Sequence, residues 1–234
     1  MNEFTSAGFE QFFRDVRGGS VSPFPWQVDL AERVLRDGEW PAVIDVPTGL
    51  GKTSLLDIAV YALAASATAD TPAARRRILF IVDRRLIVDE AYEHACRISE
   101  AIESAATDML RNVGERLCQL RGAVPDDPAA LAVARMRGGI AWDSNWVNRP
   151  DQPAIAVGTV DQLGSRMLFR GYATSDYRKP MDAALTGLDS LILVDEAHLA
   201  TGLLQSARSV NEIDAPRLPV RPSTIVSLSA TPIE

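Results

Sequence analysis

Five short segments of the chain are apolar at nearly every position, and longer segments of mixed polarity separate them. Continuously apolar runs are typical of strands buried on both faces of a parallel sheet, whereas strands with one face in water alternate apolar and polar residues. Short runs separated by helical segments indicate repeated βαβ units. We therefore predict an α/β fold with a mainly parallel β-sheet and helices on both faces. The runs are residues 42–46, 78–82, 154–157, 191–194 and 224–228.

Proline and glycine positions organise the remainder of the chain. A helix is predicted over residues 25–36 and is closed by Gly38, because proline suits a first helical turn and glycine the position past the last one. Residues 1–24 are predicted to be an irregular lead segment. Residues 107–152 are rich in turn signals and are predicted to be a less regular elaboration. The sequence thus predicts one domain over residues 25–234.

The composition limits the class of protein and its partners. With 234 residues, 47% of them apolar, the chain can bury one large core. Its formal net charge of −7 argues against a broad basic surface, so any nucleic-acid contact must be local. The sequence has no membrane-spanning run and no signal-peptide pattern, so we expect a cytoplasmic protein without membrane association. Its two cysteines and two histidines lack metal-ligand spacing, which argues against a zinc site.

A glycine-rich turn follows the first predicted strand and leads into an apolar helix. Glycines let successive backbone N–H groups converge on a phosphate, and the helix that follows adds its dipole. Lys52 can neutralise the outer phosphates of ATP, and the Thr53 hydroxyl can bind Mg²⁺. Val46 stands where the general pattern has its first glycine, and a plain glycine-rich turn is the alternative. The predicted ATP-binding residues of this turn are Thr48, Gly49, Leu50, Gly51, Lys52, Thr53 and Ser54.

Two carboxylates, Asp195 and Glu196, come directly after the predicted strand over residues 191–194. Asp195 can hold Mg²⁺ and Glu196 can orient and deprotonate an attacking water. Together with Lys52 they form a sufficient catalytic set for phosphoryl transfer. The alternative is an acidic cap on the next helix. Residues 227–232 also follow a strand, but serines and threonines there could simply satisfy a turn.

Taken in order, these three elements resemble motifs I, II and III of superfamily 2 helicases with a DEAH box. The residues that carry the resemblance are Lys52-Thr53, Asp195-Glu196-Ala197-His198 and Ser229-Ala230-Thr231, and Pro25-Trp26-Gln27 resembles the Q motif. The resemblance implies a RecA-like P-loop NTPase domain in which Gln27 reads the adenine edge. It also implies that His198, Ser229 and Thr231 couple hydrolysis to strand movement. For Gln27, a solvent-facing helix position is the alternative.

Residues 81–91 and 157–163 resemble the CRISPR-associated helicase-nuclease of type I interference systems. This resemblance implies single-stranded DNA as a partner and, for a longer parent protein, a CRISPR surveillance complex. We expect the present chain to be a monomer that binds DNA weakly. A solvated helix start and a helix cap are the alternatives for these positions. The nucleic-acid contacts that the resemblance implies are Arg84, Arg85, Gly138 and Thr159.

The same family carries a His-Asp metal nuclease domain, which two histidines, His94 and His198, cannot build. We expect these residues to hold the first motor domain, without the nuclease and without the second RecA-like domain. In related systems, an arginine from the second domain increases the rate of phosphoryl transfer by a factor of about 10³ to 10⁵. Hydrolysis by this chain alone should therefore be very slow. A restriction-system motor, an RNA helicase and a nucleotide-binding module without turnover stay open as alternatives.

Overall fold

Helices and strands alternate along most of the chain. The computed structural model describes residues 4–68, 73–121, 129–136, 145–172, 174–214 and 221–229. Its helices are α1 (Ser6–Val16), α2 (Pro25–Asp37), α3 (Leu55–Ala65), α4 (Arg85–Ser104), α5 (Asp108–Leu120), α6 (Asn145–Asn148), α7 (Val160–Met167), α8 (Lys179–Gly187) and α9 (Thr201–Asp214). Its strands are β1 (Val43–Asp45), β2 (Arg77–Val82), β3 (Ala132–Met136), β4 (Ala154–Thr159), β5 (Ser190–Val194) and β6 (Thr224–Ser229). None of the described helices is both long and apolar enough to cross a bilayer.

Within these described residues, six parallel strands form one sheet in the order β1-β6-β5-β2-β4-β3. All five apolar runs are strands, with ends that differ from the prediction by one or two residues. The predicted helix after Pro25 is also present as α2, and Gly38 closes it with a left-handed φ of 68°. The predicted α/β fold with a parallel sheet is therefore confirmed.

Side chains of β2 show why the strands are apolar throughout. Ile78, Phe80 and Val82 point into a core that the strands share with α1 to α5. Leu79 and Ile81, in between, point into a second core shared with α6 to α9. Helices thus cover both faces of the sheet, and a strand in its middle has no side in water.

The elaboration predicted over residues 107–152 is more regular than expected. It contains α5, which begins where the Thr107 side chain accepts a hydrogen bond from the Leu110 amide at 3.2 Å. It also contains β3, an edge strand that pairs with β4. Arg135 interrupts the apolar pattern of β3, and the strand is short, which is why the sequence did not reveal it. The helical spacing of Leu110, Val113 and Leu117 was a usable signal for α5.

The prediction that residues 1–24 are irregular is wrong over α1. Thr5 caps this helix through its side chain, which accepts a hydrogen bond from the Gly8 amide at 3.2 Å. Phe9 and Phe12 pack their rings against Tyr61 of α3, with centroid separations of 5.8 and 5.6 Å. The buried residues of α1 are Phe9, Phe12, Phe13 and Val16, which lie on one helical face. The helix α1 is therefore part of the main hydrophobic core.

Candidate functional site

The glycine-rich turn lies between β1 and α3, at the carboxyl edge of the sheet. Gly49 and Gly51 have φ values of 84° and 76°, a region that side chains with a Cβ rarely adopt. Residues Lys52–Ser54 form a 3₁₀ turn that runs directly into α3. The strand, turn and helix that a phosphate-binding loop requires are thus all present, and we call residues 46–51 the phosphate loop.

Two side chains of α2 hold the phosphate loop by its carbonyl groups. Trp26 Nε1 donates a hydrogen bond to the Leu50 carbonyl at 3.2 Å, and Gln27 Nε2 donates one to the Gly51 carbonyl at 3.1 Å. The Gln27 Oε1 accepts a hydrogen bond from the Phe24 amide at 2.9 Å. With 0% exposure, Gln27 is no solvent-facing helix residue, so that alternative is wrong. Its contact with adenine stays a prediction.

Lys52 lies buried between the two carboxylates that follow β5. Its Nζ is 3.5 Å from Asp195 Oδ1 and 3.5 Å from Glu196 Oε1, and the residue is 8% exposed. These separations exceed those of a close charged hydrogen bond, which are about 2.7–2.9 Å. The two carboxylates therefore compensate the lysine charge without fixing it to one partner, so the amine can turn toward another anion.

The environment of Asp195 stabilises its negative charge less well than water does. Burial raises the pKa of this carboxyl above its ordinary value, and the charge of Lys52 and a hydrogen bond from the Glu196 amide only partly offset the effect. The Asp195 amide donates a hydrogen bond to the Ile81 carbonyl at 2.8 Å, which fixes the residue at the end of β5 against β2. The negative charge of Asp195 is thus incompletely compensated and would be stabilised by a cation beside it.

Glu196 has a left-handed backbone, with φ 48° and ψ 51°, which is strained for a residue with a Cβ. Its amide donates a hydrogen bond to Asp195 Oδ1 at 3.0 Å, and this contact bends the chain away from the strand. The bend directs Glu196 Oε1 to Lys52 and places Oε2 3.5 Å from His198 Nδ1. The Glu196 side chain makes no helix-cap hydrogen bond, so the capping alternative fails for this residue.

The end of β6 lies beside the phosphate loop. Ser229 is fully buried and pairs in register with Asp45, and its carbonyl accepts a hydrogen bond from the Val46 amide at 3.0 Å. His198 is half-exposed on the other side of Glu196. Thr231 lies outside the described residues. Two of the three residues implied in coupling are therefore next to the ATP-site candidates.

The implied nucleic-acid contacts follow β2 and β4, which are neighbours in the sheet. Thr159 pairs in register with Val82, and Arg84 is exposed two residues beyond that strand end. Thr159 precedes α7 but makes no side-chain cap hydrogen bond, so the cap alternative fails. The Arg85 side chain and Gly138 lie outside the described part of the chain. Arg84 and Thr159 thus share one edge of the sheet with Asp195, on the side away from the phosphate loop.

A buried ionic cluster behind the phosphate loop was missed by the sequence analysis. Asp57 of α3 is 0% exposed and accepts hydrogen bonds from Arg17 Nη1 at 2.8 Å and Nη2 at 3.0 Å. His94 Nε2 of α4 lies 2.7 Å from Asp57 Oδ2. Burial alone would raise the pKa of Asp57, but His94 and Arg17 outweigh it and hold the pKa below its ordinary value. The usable signal was a lone aspartate in the otherwise apolar first turns of α3.

Comparison with known proteins gives a family and a shared fold. A family model described as "Type III restriction enzyme, res subunit" matches residues 20–234. Among solved structures, the chain is similar to the helicase Lhr of Mycobacterium smegmatis bound to ssDNA and AMP-PNP, with a TM-score of 0.56 and 16% identity. That alignment covers 97% of this chain and 25% of the Lhr chain. None of the curated protein sequences matches the chain. The fold is that of a helicase RecA-like domain, as predicted.

Proposed function

The chain belongs to the family of the type III restriction enzyme res subunit, and from this membership we propose that it is the ATP-binding and ATP-hydrolysing motor domain of a superfamily 2 DNA helicase or translocase. One observation carries the proposal. Lys52, at the end of the phosphate loop, is buried beside Asp195 and Glu196, 143 and 144 positions further along the chain, at the end of a different strand. A turn with a purely structural role does not require a lysine and two carboxylates to meet, whereas phosphoryl transfer uses these three groups together.

The site fits a magnesium nucleotide. Asp195 carries a partly buried carboxylate whose charge Lys52 compensates only partly, and the Thr53 hydroxyl is an oxygen ligand of the kind that Mg²⁺ accepts. When bound, Mg²⁺ would neutralise charge on the phosphate oxygens. Space is available at Gly49, where an added Cβ would meet no atom within 4 Å. We assign Mg²⁺ binding to Thr53 and Asp195.

In this proposal, different residues of the chain have different roles in ATP hydrolysis. The phosphate loop binds the phosphates through its backbone, and Lys52 leaves its carboxylate partners for the outer phosphates. Glu196 holds the attacking water and accepts its proton, because its strained backbone aims the carboxylate into the site. Gln27 contacts adenine in this proposal, and because the residue is fully buried this contact requires a local rearrangement that exposes its amide.

The nucleic acid in this proposal is single-stranded DNA, bound weakly along the edge that carries Arg84 and Thr159. The Lhr structure supports it, since that helicase shares the fold and was solved with ssDNA. The chain spans 25% of the Lhr chain, so the activity and partners of a whole helicase are proposals for it. Hydrolysis by these residues alone is proposed to be slow, because such motors obtain an arginine from a second RecA-like domain.

Two biological settings agree with the motor function. The family description favours a restriction-system translocase. The segments over residues 81–91 and 157–163 favour the helicase of type I CRISPR interference, which acts with a surveillance complex. Stimulation of ATP hydrolysis by single-stranded DNA, and none by RNA, would support either DNA motor over an RNA helicase. ATP binding without hydrolysis under both conditions would instead support a nucleotide-binding module.

Calorimetry of residues 1–234 with ATP and Mg²⁺ tests the proposed function. Lys52→Ala should weaken ATP binding about tenfold to a hundredfold, because it removes a charged contact worth about 1.5–3 kcal/mol. The matched control is Lys179→Ala, which removes the other lysine of the chain, whose partner is Asp176 at 2.7 Å. Unchanged affinity in Lys52→Ala, or equal losses in both variants, would contradict the assignment.

A further inference from the structure

Arg17, the residue at the C-terminal cap of α1, reaches across to the first turn of α3. Its Nη1 and Nη2 donate hydrogen bonds to both oxygens of Asp57, at 2.8 and 3.0 Å. Nη2 also donates one to the Ser54 hydroxyl at 3.2 Å. Ser54 is the last residue of the 3₁₀ turn Lys52–Ser54, and the residue before it is Thr53. One guanidinium thus contacts the turn that follows the phosphate loop and the helix that continues it.

The Arg17 guanidinium is itself held in place by α1. It stacks on the Phe13 ring with a centroid distance of 3.5 Å, and Nη1 donates a further hydrogen bond to the Phe13 carbonyl at 3.1 Å. The side chain is 13% exposed and its partner Asp57 is fully buried. A planar guanidinium can stack and bind a carboxylate through two parallel hydrogen bonds, whereas a lysine amine cannot do both.

His94 of α4 is the third charged or polar side chain of this cluster. Its Nε2 lies 2.7 Å from Asp57 Oδ2 and 3.3 Å from Arg17 Nη2. Arginine nitrogens only donate, and a carboxylate only accepts, so Nε2 must carry a proton and donate it to Asp57. Asp57 therefore accepts hydrogen bonds from α1 and α4 at the same time. The first turn of α3 is held from two neighbouring helices and has little freedom to rotate.

We propose that Arg17 is a positioning residue for the magnesium nucleotide: through Ser54 and Asp57 it sets the orientation of Thr53, the proposed Mg²⁺ ligand, in the turn that follows the phosphate loop. The inference rests on the proposed ATP-binding function. It also brings α1 into the site, although the family match begins only at residue 20. Groups that hold a ligand-bearing element in place commonly change metal affinity or activity about tenfold to a hundredfold when they are altered.

The test compares ATP affinity in Mg²⁺ with ATP affinity in EDTA, measured by calorimetry on residues 1–234. Arg17→Lys keeps the charge and loses the two-point contact, so the gain in affinity on adding Mg²⁺ should fall about tenfold. Affinity in EDTA should stay the same, because the phosphate loop itself is intact. Ser54→Ala removes the hydroxyl that accepts the hydrogen bond from Arg17, and it should also lower the ratio of ATP affinity in Mg²⁺ to ATP affinity in EDTA. Arg14→Lys is the control, since Arg14 lies on α1 and pairs with Glu10 instead.

The outcomes separate this inference from the proposed function. If Lys52→Ala loses ATP while Arg17→Lys and Ser54→Ala keep the wild-type ratio, Arg17 is not a positioning residue and the proposed function stands. If both variants lose ATP affinity equally in Mg²⁺ and in EDTA, Arg17 supports only the fold, and this result also overturns the inference. If the wild-type chain binds no ATP in Mg²⁺, the proposed function fails and the inference fails with it.

Discussion

The Gln27 side-chain nitrogen donates a hydrogen bond to the Gly51 carbonyl oxygen at 3.1 Å and so ties the start of α2 to the phosphate loop. A Cβ built on Gly51 would lie 2.8 Å from that same nitrogen, which is too close for two heavy atoms that are not bonded. Gly51 also has a left-handed φ of 76°. A side chain at this position would strain the backbone and displace the Gln27 amide from its hydrogen bond, which favours glycine here.

Gln27→Ala should lower the free energy of unfolding by about 1–3 kcal/mol. The substitution removes the hydrogen-bond partners of the Gly51 carbonyl and the Phe24 amide at a fully buried position, and unsatisfied buried polar groups cost this much. Urea unfolding measures the effect. Gln205→Ala, at an exposed position of α9, should change the stability little. Equal stability of the two variants would show that the Gln27 contacts are not formed.

Glu196→Gln should retain ATP binding and lose hydrolysis. The amide keeps the shape of the side chain but cannot accept the proton of the attacking water, and general-base catalysis is worth about 10²- to 10⁴-fold. Single-turnover conversion of labelled ATP, with the protein in excess, measures this loss even where turnover is slow. Glu212→Gln on the exposed side of α9 is the control. A wild-type rate in Glu196→Gln would assign the base to another residue.

Arg84→Ala should weaken binding of single-stranded DNA to the same extent for every sequence. A contact with phosphate carries no base information, and its loss should reduce the slope of log affinity against log salt by about 1. Fluorescence anisotropy at several salt concentrations gives both quantities. Arg36→Ala is the control, because Arg36 is exposed and paired with Asp37 away from the sheet edge. An unchanged slope would mean that Arg84 is a solvent-exposed residue at the start of α4 and makes no contact with phosphate.

The stability of the protein should decrease in acid partly because of Asp57. Burial would raise the pKa of Asp57, but His94 and Arg17 hold it below the ordinary value of about 3.9, so the unfolded chain binds a proton at higher pH than the folded chain does. The stabilisation is therefore complete above about pH 5 and is lost progressively as the pH falls through the folded pKa. Urea midpoints between pH 7 and pH 3 should show a smaller acid loss in Asp57→Asn than in the wild type.

The control for this pH series is Asp108→Asn, at a carboxylate whose side chain is 96% exposed. Asp57→Asn lowers the stability at neutral pH as well, because the charge of Arg17 then faces a neutral amide. The informative quantity is consequently the change in the urea midpoint between pH 7 and pH 3 within each variant. An acid loss as large in Asp57→Asn as in the wild type would contradict the role of Asp57.

Much of the sheet and of the ATP-site candidates was predictable because local chemistry determines it. A strand buried on both faces must be apolar at most positions, so β2, β4, β5 and β6 were visible as runs. Glycines at φ values that other residues avoid mark the phosphate loop. In a parallel sheet the carboxyl ends of strands share one edge, so Lys52 and Asp195 could be expected to meet there.

What could not be predicted depends on contacts between distant segments. Arg17 and Asp57 are 40 residues apart, and no periodic pattern connects a residue that ends one helix with a residue in the first turn of another. The strand β3 is short, contains Arg135, and becomes recognisable only through its pairing with β4. Gln27 is buried because the phosphate loop lies against it. The sequence of α2 alone does not show where that loop lies.

Tyr61 also contacts the Phe4 ring, at a centroid distance of 5.0 Å, so aromatic residues from the first twelve positions cover one side of α3. The stretch that the chain shares with its family begins at residue 20 and does not include them. Without that covering, Tyr61 would be part of a contiguous apolar surface in water, and surfaces of this kind promote association between molecules. The hydrophobic core of this chain therefore extends beyond the stretch that the family model matches, and the aromatic residues of the first twelve positions shield α3 from contact with other molecules.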